Sequence, residues 1–348
     1  MPLLPTSVFR APLLKGKAMQ PIAPDLRRQL RSVGLSGQVI EAVWPEWWND
    51  EAERSLSAQA ELRFTVARRL GLSPSSLFED GPRFVWRDDA RFKNLGDVTE
   101  LEQSVLSSFG LALGRVLIAG TPSQTVVGEP SASTLRSAIL AGSANVGLLQ
   151  LLALSWGLGI PVVRTTVFPL PQKRMHAMSV RHGERFAIIL GLESKFEARI
   201  AFTLAHELAH VFLGHMRGAS TLLDYQDPFV VDSDDEERAA DAFALEVLTG
   251  SSSPEIIPEI ENFNATQLAN AAREAGAVHG IDPGIIALCV GHATKRWEAA
   301  TGALKVLGEK EDLAGAINAV ANHHLEWDQM SMGSASYVEK MLGVLREH

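Results

Sequence analysis

Two histidines and a glutamate at the spacing H-E-x-x-H (His206, Glu207 and His210) are the residues of this chain best suited to hydrolytic chemistry. Four residues of α-helix turn about 400°, so His206 and His210 point the same way, one turn apart. Two imidazoles so placed can hold one Zn²⁺, and Glu207 beside them can act as general base on a metal-bound water. The motif sits in an apolar run, with Ile200, Phe202 and Leu204 before it and Val211, Phe212 and Leu213 after it. Its carrier helix is therefore expected to be buried, which gives a metal site rigidity and a dry surrounding. So short a pattern also arises by chance, and it needs a third ligand.

Residues 234–244, DDEERAADAFA, supply one. If this stretch is helical, Glu237 and Asp241 share a face one turn apart, with the small Ala240 and Ala244 beside them. Close packing on the first helix would bring Glu237 to the metal. Asp241 would then accept a hydrogen bond from the outer ring nitrogen of a ligating histidine. Glu236 is the competing ligand, but four residues beyond it stands Ala240, which has no acceptor for such a bond. The other reading of these acids is a helix start in which they suit the positive end of the dipole.

HELAH followed by E-x-x-A-D-x-F-A resembles the ImmA/IrrE-type zinc metallopeptidases, over about residues 160–248. The resemblance implies a zincin-like fold and cleavage of a regulatory protein, often a helix-turn-helix repressor. It carries over His206, His210 and Glu237 as zinc ligands and Glu207 as general base. Tyr225, His176 and His182 are candidate donors to the oxyanion, and sequence does not rank them.

Several elements must position these groups. Strands are expected at 160–167 and 185–190, and a metal helix opened by a capping box of Ser194 with Glu197. In zincin-like enzymes an edge strand near the site pairs with the substrate backbone. The 185–190 strand is either that edge, acting by strand addition, or an interior strand. His215 misses the H-E-x-x-H-x-x-G-x-x-H register by one place. On a continued helix it would face away from His206, so it reads as a helix-end residue and not a ligand. The connection between the two ligand helices runs through 219–233.

Upstream, residues 1–24 hold prolines and basic residues without an acid and read as an extended arm. Helices are expected at 25–33, 36–43, 57–70 and 98–119, with a linker through 120–130. Residues 56–80 look like a helix-turn-helix fragment, with Ser73 capping a short second helix from Pro74 to Phe78. Arg63, Arg68, Arg69, Arg83, Arg87, Arg91 and Lys93 make 56–93 a candidate DNA contact, diluted by Glu79, Asp80, Asp88 and Asp89. From 137 to 163 no charge appears, yet its polar and glycine content makes a poor membrane span; a buried helix to 154 is expected. After Gly250 the chain reads as helices at 265–276, 283–300, 313–323 and 336–346. Cys289 reads as core and His323-His324 as surface.

The fold expected is α+β and mostly helical. It has an arm at 1–24, a helical domain at 25–125, a zincin-like peptidase domain at 126–250 with a small sheet on the metal helix, and a helical region at 251–348. A net charge of −9 over 348 residues argues against a globally basic nucleic-acid binder. A single cysteine excludes an internal disulfide and suits a reducing cytoplasm. The function expected is zinc endopeptidase on a repressor-like protein partner, with no membrane role and an unknown oligomeric state. The alternative is a DNA-binding transcriptional regulator whose zinc site is structural or vestigial.

Overall fold

The computed structural model describes residues 21–79, 81–85, 90–93, 99–123, 129–171, 175–217, 221–224, 235–258 and 262–346. The expected arm lies outside these residues up to position 20. The first helix, α1 (Ile22–Ser32), starts three residues earlier than the apolar spacing implied, directly after Pro21. It is followed by α2 (Gly37–Val43), α3 (Asp50–Glu53), α4 (Leu56–Leu70), β1 (Ala90–Lys93) and α5 (Glu100–Ala119). Next come α6 (Ala132–Leu140), α7 (Leu148–Gly157), β2 (Val162–Arg164), β3 (Ala177–His182), β4 (Arg185–Leu190) and α8 (Glu197–Phe212). The remainder is β5 (Thr221–Asp224), α9 (Asp235–Thr249), α10 (Ala265–His279), α11 (Pro283–Thr294), α12 (Trp297–Leu307), α13 (Leu313–His324) and α14 (Met332–Leu342). The architecture is α+β and mostly helical.

The sheet is mixed, in the order β1-β5-β3-β4-β2. β3 and β4 form a hairpin whose His182↔Arg185 pair encloses Gly183-Glu184. Gly183 has φ +63°, at the first loop position, where a type II′ turn demands glycine. β5 runs antiparallel to β3, whereas β1 on β5 and β2 on β4 are parallel. The strand at 185–190 is therefore interior, between β2 and β3.

Alternation along the strands divides the core in two. Ala177, Ile188 and Leu190 join α8 and α9 and the helices from α10 to α13 in one apolar cluster. Met178, Val180, Ala187 and Ile189 join α1, α2, α4, α5 and α14 in the other. Apolar contacts thus cross both the 125/126 and the 250/251 positions. α5 approaches the sheet closely through two glycines one turn apart. A Cβ on Gly110 would fall 1.7 Å from Met178 Sδ, and one on Gly114 would fall 2.6 Å from Val180 Cγ1. α5 has the length and apolar composition of a membrane span, but 72% of that window is buried inside the protein.

Three local expectations are corrected. The uncharged 137–163 stretch contains two helices and not one, because the chain turns at 141–147 and restarts α7 with Gly147, whose N–H donates to Gln150 Oε1. The capping box at Ser194 does not form. Ser194 Oγ accepts from Phe196 N–H in a local turn, and α8 begins only at Glu197. The second helix of the 56–80 segment is a single 3₁₀ turn, Ser75–Leu77. Ser76 Oγ donates to Ser73 O and accepts from Arg83 N–H, folding the chain back before a helix can extend. Arg69, counted among the basic residues there, is buried; it donates to Val43 O and Gly333 O while Tyr337 Oη donates to its carbonyl.

One buried guanidinium ties α9 to the rest. Arg136 on α6 donates to Val247 O and Leu248 O at the end of α9, and to His279 O and Gly280 O at the end of α10. Four carbonyls that would otherwise lack partners at two helix C-termini are satisfied by one side chain.

Candidate metal centre

α8 is buried along its whole length from Ile200 to Phe212, as its apolar flanks imply. His206, Glu207 and His210 are each at most 1% exposed. α9 packs on α8, and buried Ala240 and Ala244 lie in the contact cluster, so the alanine face does permit close approach. Glu237, in the first turn of α9, is 3% exposed and turned inward.

Three side chains converge. The Nε2 atoms of His206 and His210 are 3.0 Å apart. Glu237 Oε2 lies 3.2 Å from His206 Nε2, and Glu237 Oε1 lies 3.5 Å from His210 Nε2. One ligand atom from each residue falls within 4.8 Å of the others, a buried group able to hold a metal ion. Among the described residues it is the one such group of three or more His, Cys, Asp or Glu.

The far sides of both rings are also held. Asp241 Oδ1 lies 2.8 Å from His206 Nδ1, the contact its position one turn after Glu237 implied. Burial opposes a charge on His206, but hydrogen bonds to Asp241 and Glu237, with the fields of Asp241 and Glu207, raise its pKa to about 10. The pocket therefore favours a cation. With two imidazole nitrogens and a carboxylate as donors, the residues present fit Zn²⁺.

Two contacts were not anticipated from sequence. Ser179 Oγ donates to Glu207 Oε2 at 2.6 Å, so the strand facing α8 fixes the carboxylate next to the ligands. The two-residue Gly183-Glu184 spacing before the apolar 185–190 run was the available sign of a hairpin, and hence of β3. The second contact joins His215 and His210, whose Nδ1 atoms are 2.8 Å apart. α8 does end before His215, and His215 is no member of the ligand trio. It does not face away from the ligand histidines, however, because the helix stops at Phe212 and the chain turns back.

The candidate oxyanion donors fare differently. His182 alternates with Ser179 on β3 and so points to the opposite sheet face, where Arg115 Nε of α5 donates to its Nδ1 at 3.3 Å. It is not placed to serve Glu207, and burial together with Arg115 lowers its pKa. His176 sits in the bend before β3, its carbonyl accepting from Gly191 and Leu192 N–H, and it is not part of the ligand group. Tyr225 lies outside the described residues, as does most of the connection at 219–233 apart from β5. Cys289 is buried in α11 and is likewise absent from the ligand group. His323 and His324 are exposed, with His324 stacked on Trp156 at 5.3 Å.

No family model, curated protein or solved structure matches this chain.

Proposed function

We propose that the chain is a zinc-dependent endopeptidase of the ImmA/IrrE type, with a zincin-like core, cutting a specific regulatory protein such as a helix-turn-helix repressor. One observation carries this reading. Two histidines one turn apart and a glutamate from a second helix converge at hydrogen-bonding distances, with a further buried carboxylate on the residue following the first histidine. A purely structural zinc site closes its coordination with four protein ligands, whereas three ligands leave a position open for water or substrate.

His206, His210 and Glu237 would hold the ion. Zinc bound there supplies a Lewis acid for the scissile carbonyl and acidifies water towards a pKa of about 7. Glu207 takes the proton of the attacking water and returns it to the leaving amine. Ser179 donates to one oxygen of Glu207 and so fixes the carboxylate. Asp241 holds His206 as the tautomer whose Nε2 lone pair points into the group.

The test is zinc content together with co-expression of the chain and the product of the neighbouring gene. One zinc per chain and a cut partner are expected, with the cut lost and the zinc kept in Glu207→Gln. Zinc without any cut, accompanied by a salt-dependent DNA shift, would transfer the assignment to the DNA-binding regulator.

A further inference from the structure

The end of α8 has a specific geometry. Gly214 has φ +72°. Its N–H donates to Val211 O at 3.4 Å, and the next N–H, that of His215, donates to His210 O at 3.1 Å. These two bonds define a Schellman motif, in which the second residue past the helix cap folds back over the residue three positions inside it. In most such motifs that pair makes an apolar contact. Here the inner residue is the ligand His210 and the outer one is His215, and they meet ring to ring, with centroids 5.0 Å apart.

We infer that His215 is a positioning residue for the metal centre, setting the tautomer and ring orientation of His210 as Asp241 does for His206. This rests on the metal-binding part of the function proposed above. A histidine that gives Nε2 to a metal carries its proton on Nδ1, and that proton needs an acceptor. His215 Nδ1 stands 2.8 Å from His210 Nδ1 and accepts it, which places the His215 proton on its own Nε2. The two anchors differ in charge. Asp241 brings a negative charge to one ligand, whereas His215 orients the other without adding a second. Glu237, Asp241 and Glu207 already bring three carboxylates to the site. A neutral acceptor behind His210 orients the ring without adding a fourth. The αL turn is what makes this reach available: on an uninterrupted helix a residue five positions on would lie on another face.

The experiment measures zinc affinity of the full chain by competition with a chromophoric chelator, for wild type, His215→Phe and His215→Asn. Phenylalanine keeps the ring and removes the acceptor. Asparagine keeps an acceptor oxygen near the position of Nδ1. Roughly 10–100-fold weaker zinc binding is expected for the Phe variant and affinity within about threefold of wild type for Asn. A second readout is the nitrogen spectrum of labelled histidine in the zinc-loaded wild-type protein, which should show His210 protonated at Nδ1. Equal affinities for wild type and His215→Phe, or His210 found with its proton elsewhere, overturn the inference. Should the Phe variant not fold, equal loss of affinity in His215→Asn and in His215→Gln would overturn it too, since acceptor geometry would then be irrelevant. Wild-type protein that binds no zinc at all would instead remove the metal centre itself.

Discussion

Ser179 Oγ and Glu207 Oε2 are 2.6 Å apart, and this bond links the middle of β3 to the helix that carries His206 and His210. Both residues are fully buried. The general base of the proposed reaction is therefore held by the sheet and not only by its own helix.

Ser179→Ala should leave zinc content unchanged while lowering both stability and turnover. Removing a hydrogen bond to a buried charged group costs about 1–3 kcal/mol, which denaturant unfolding of the zinc-loaded protein can read. A variant as stable and active as wild type would show that β3 does not hold the base.

His206 makes the chelated protein sensitive to alkali. Its pKa stands at about 10 when folded, against a usual 6.5. A raised folded pKa contributes stability that is fully present below 6.5 and fades as pH climbs through 10. Melting temperature after chelation should fall across that window, and Asp241→Asn should flatten the fall. Zinc must displace the same proton, so zinc affinity should rise with pH by up to about tenfold per unit in this range. A pH-independent affinity would contradict this picture.

Cys289 should be inert in the native state. Burial pushes its thiol pKa up to about 12. A disulfide reagent at pH 8 is expected to label it only after unfolding, with chelation of zinc making no difference. Labelling released by chelation alone would place the thiol at the metal.

The contact of α5 with the sheet gives a stability test remote from the metal. Gly114→Val forces side-chain atoms into Val180 and should cost about 1–3 kcal/mol in chemical denaturation. Gly157→Ala, at the end of α7 with nothing near its Cβ position, should be neutral or stabilising by up to about 1 kcal/mol. Comparable losses in both variants would mean that the close approach of α5 is not limiting.

The convergent cluster was readable because helical spacing is local information. His206, His210, Glu237 and Asp241 are fixed in pairs by turns of about 3.6 residues, and the alanines of α9 announce how closely it can pack. Ser179 and His215 were not readable in the same way. The first depends on which sheet face meets α8, the second on where α8 stops, and both are decided by tertiary contacts or a single glycine torsion. Most helical regions emerged for the same reason as the cluster, but the helix read at 283–300 is two, α11 and α12, because Lys295 at φ 58° ends the first. β3 and β5 did not emerge: both are short strands with polar members, and β5 pairs with β1 and β3, which lie far along the chain. The break at 141–147 and the failed Ser194 cap show local side-chain bonds redirecting a chain whose apolar pattern pointed elsewhere.

The strand that touches the base has both its hydrogen-bonding sides committed to its own chain. β4 lies along one side and β5 along the other, with Ser179 itself opposite Leu222. An extended substrate cannot join β3 as an extra rung while that order persists. Recognition by sheet addition at this strand would have to proceed as an exchange, the incoming backbone taking over the donors and acceptors that Thr221–Asp224 relinquish. Such a trade conserves the number of main-chain bonds, so side-chain fit and not backbone pairing would decide which polypeptide wins the position.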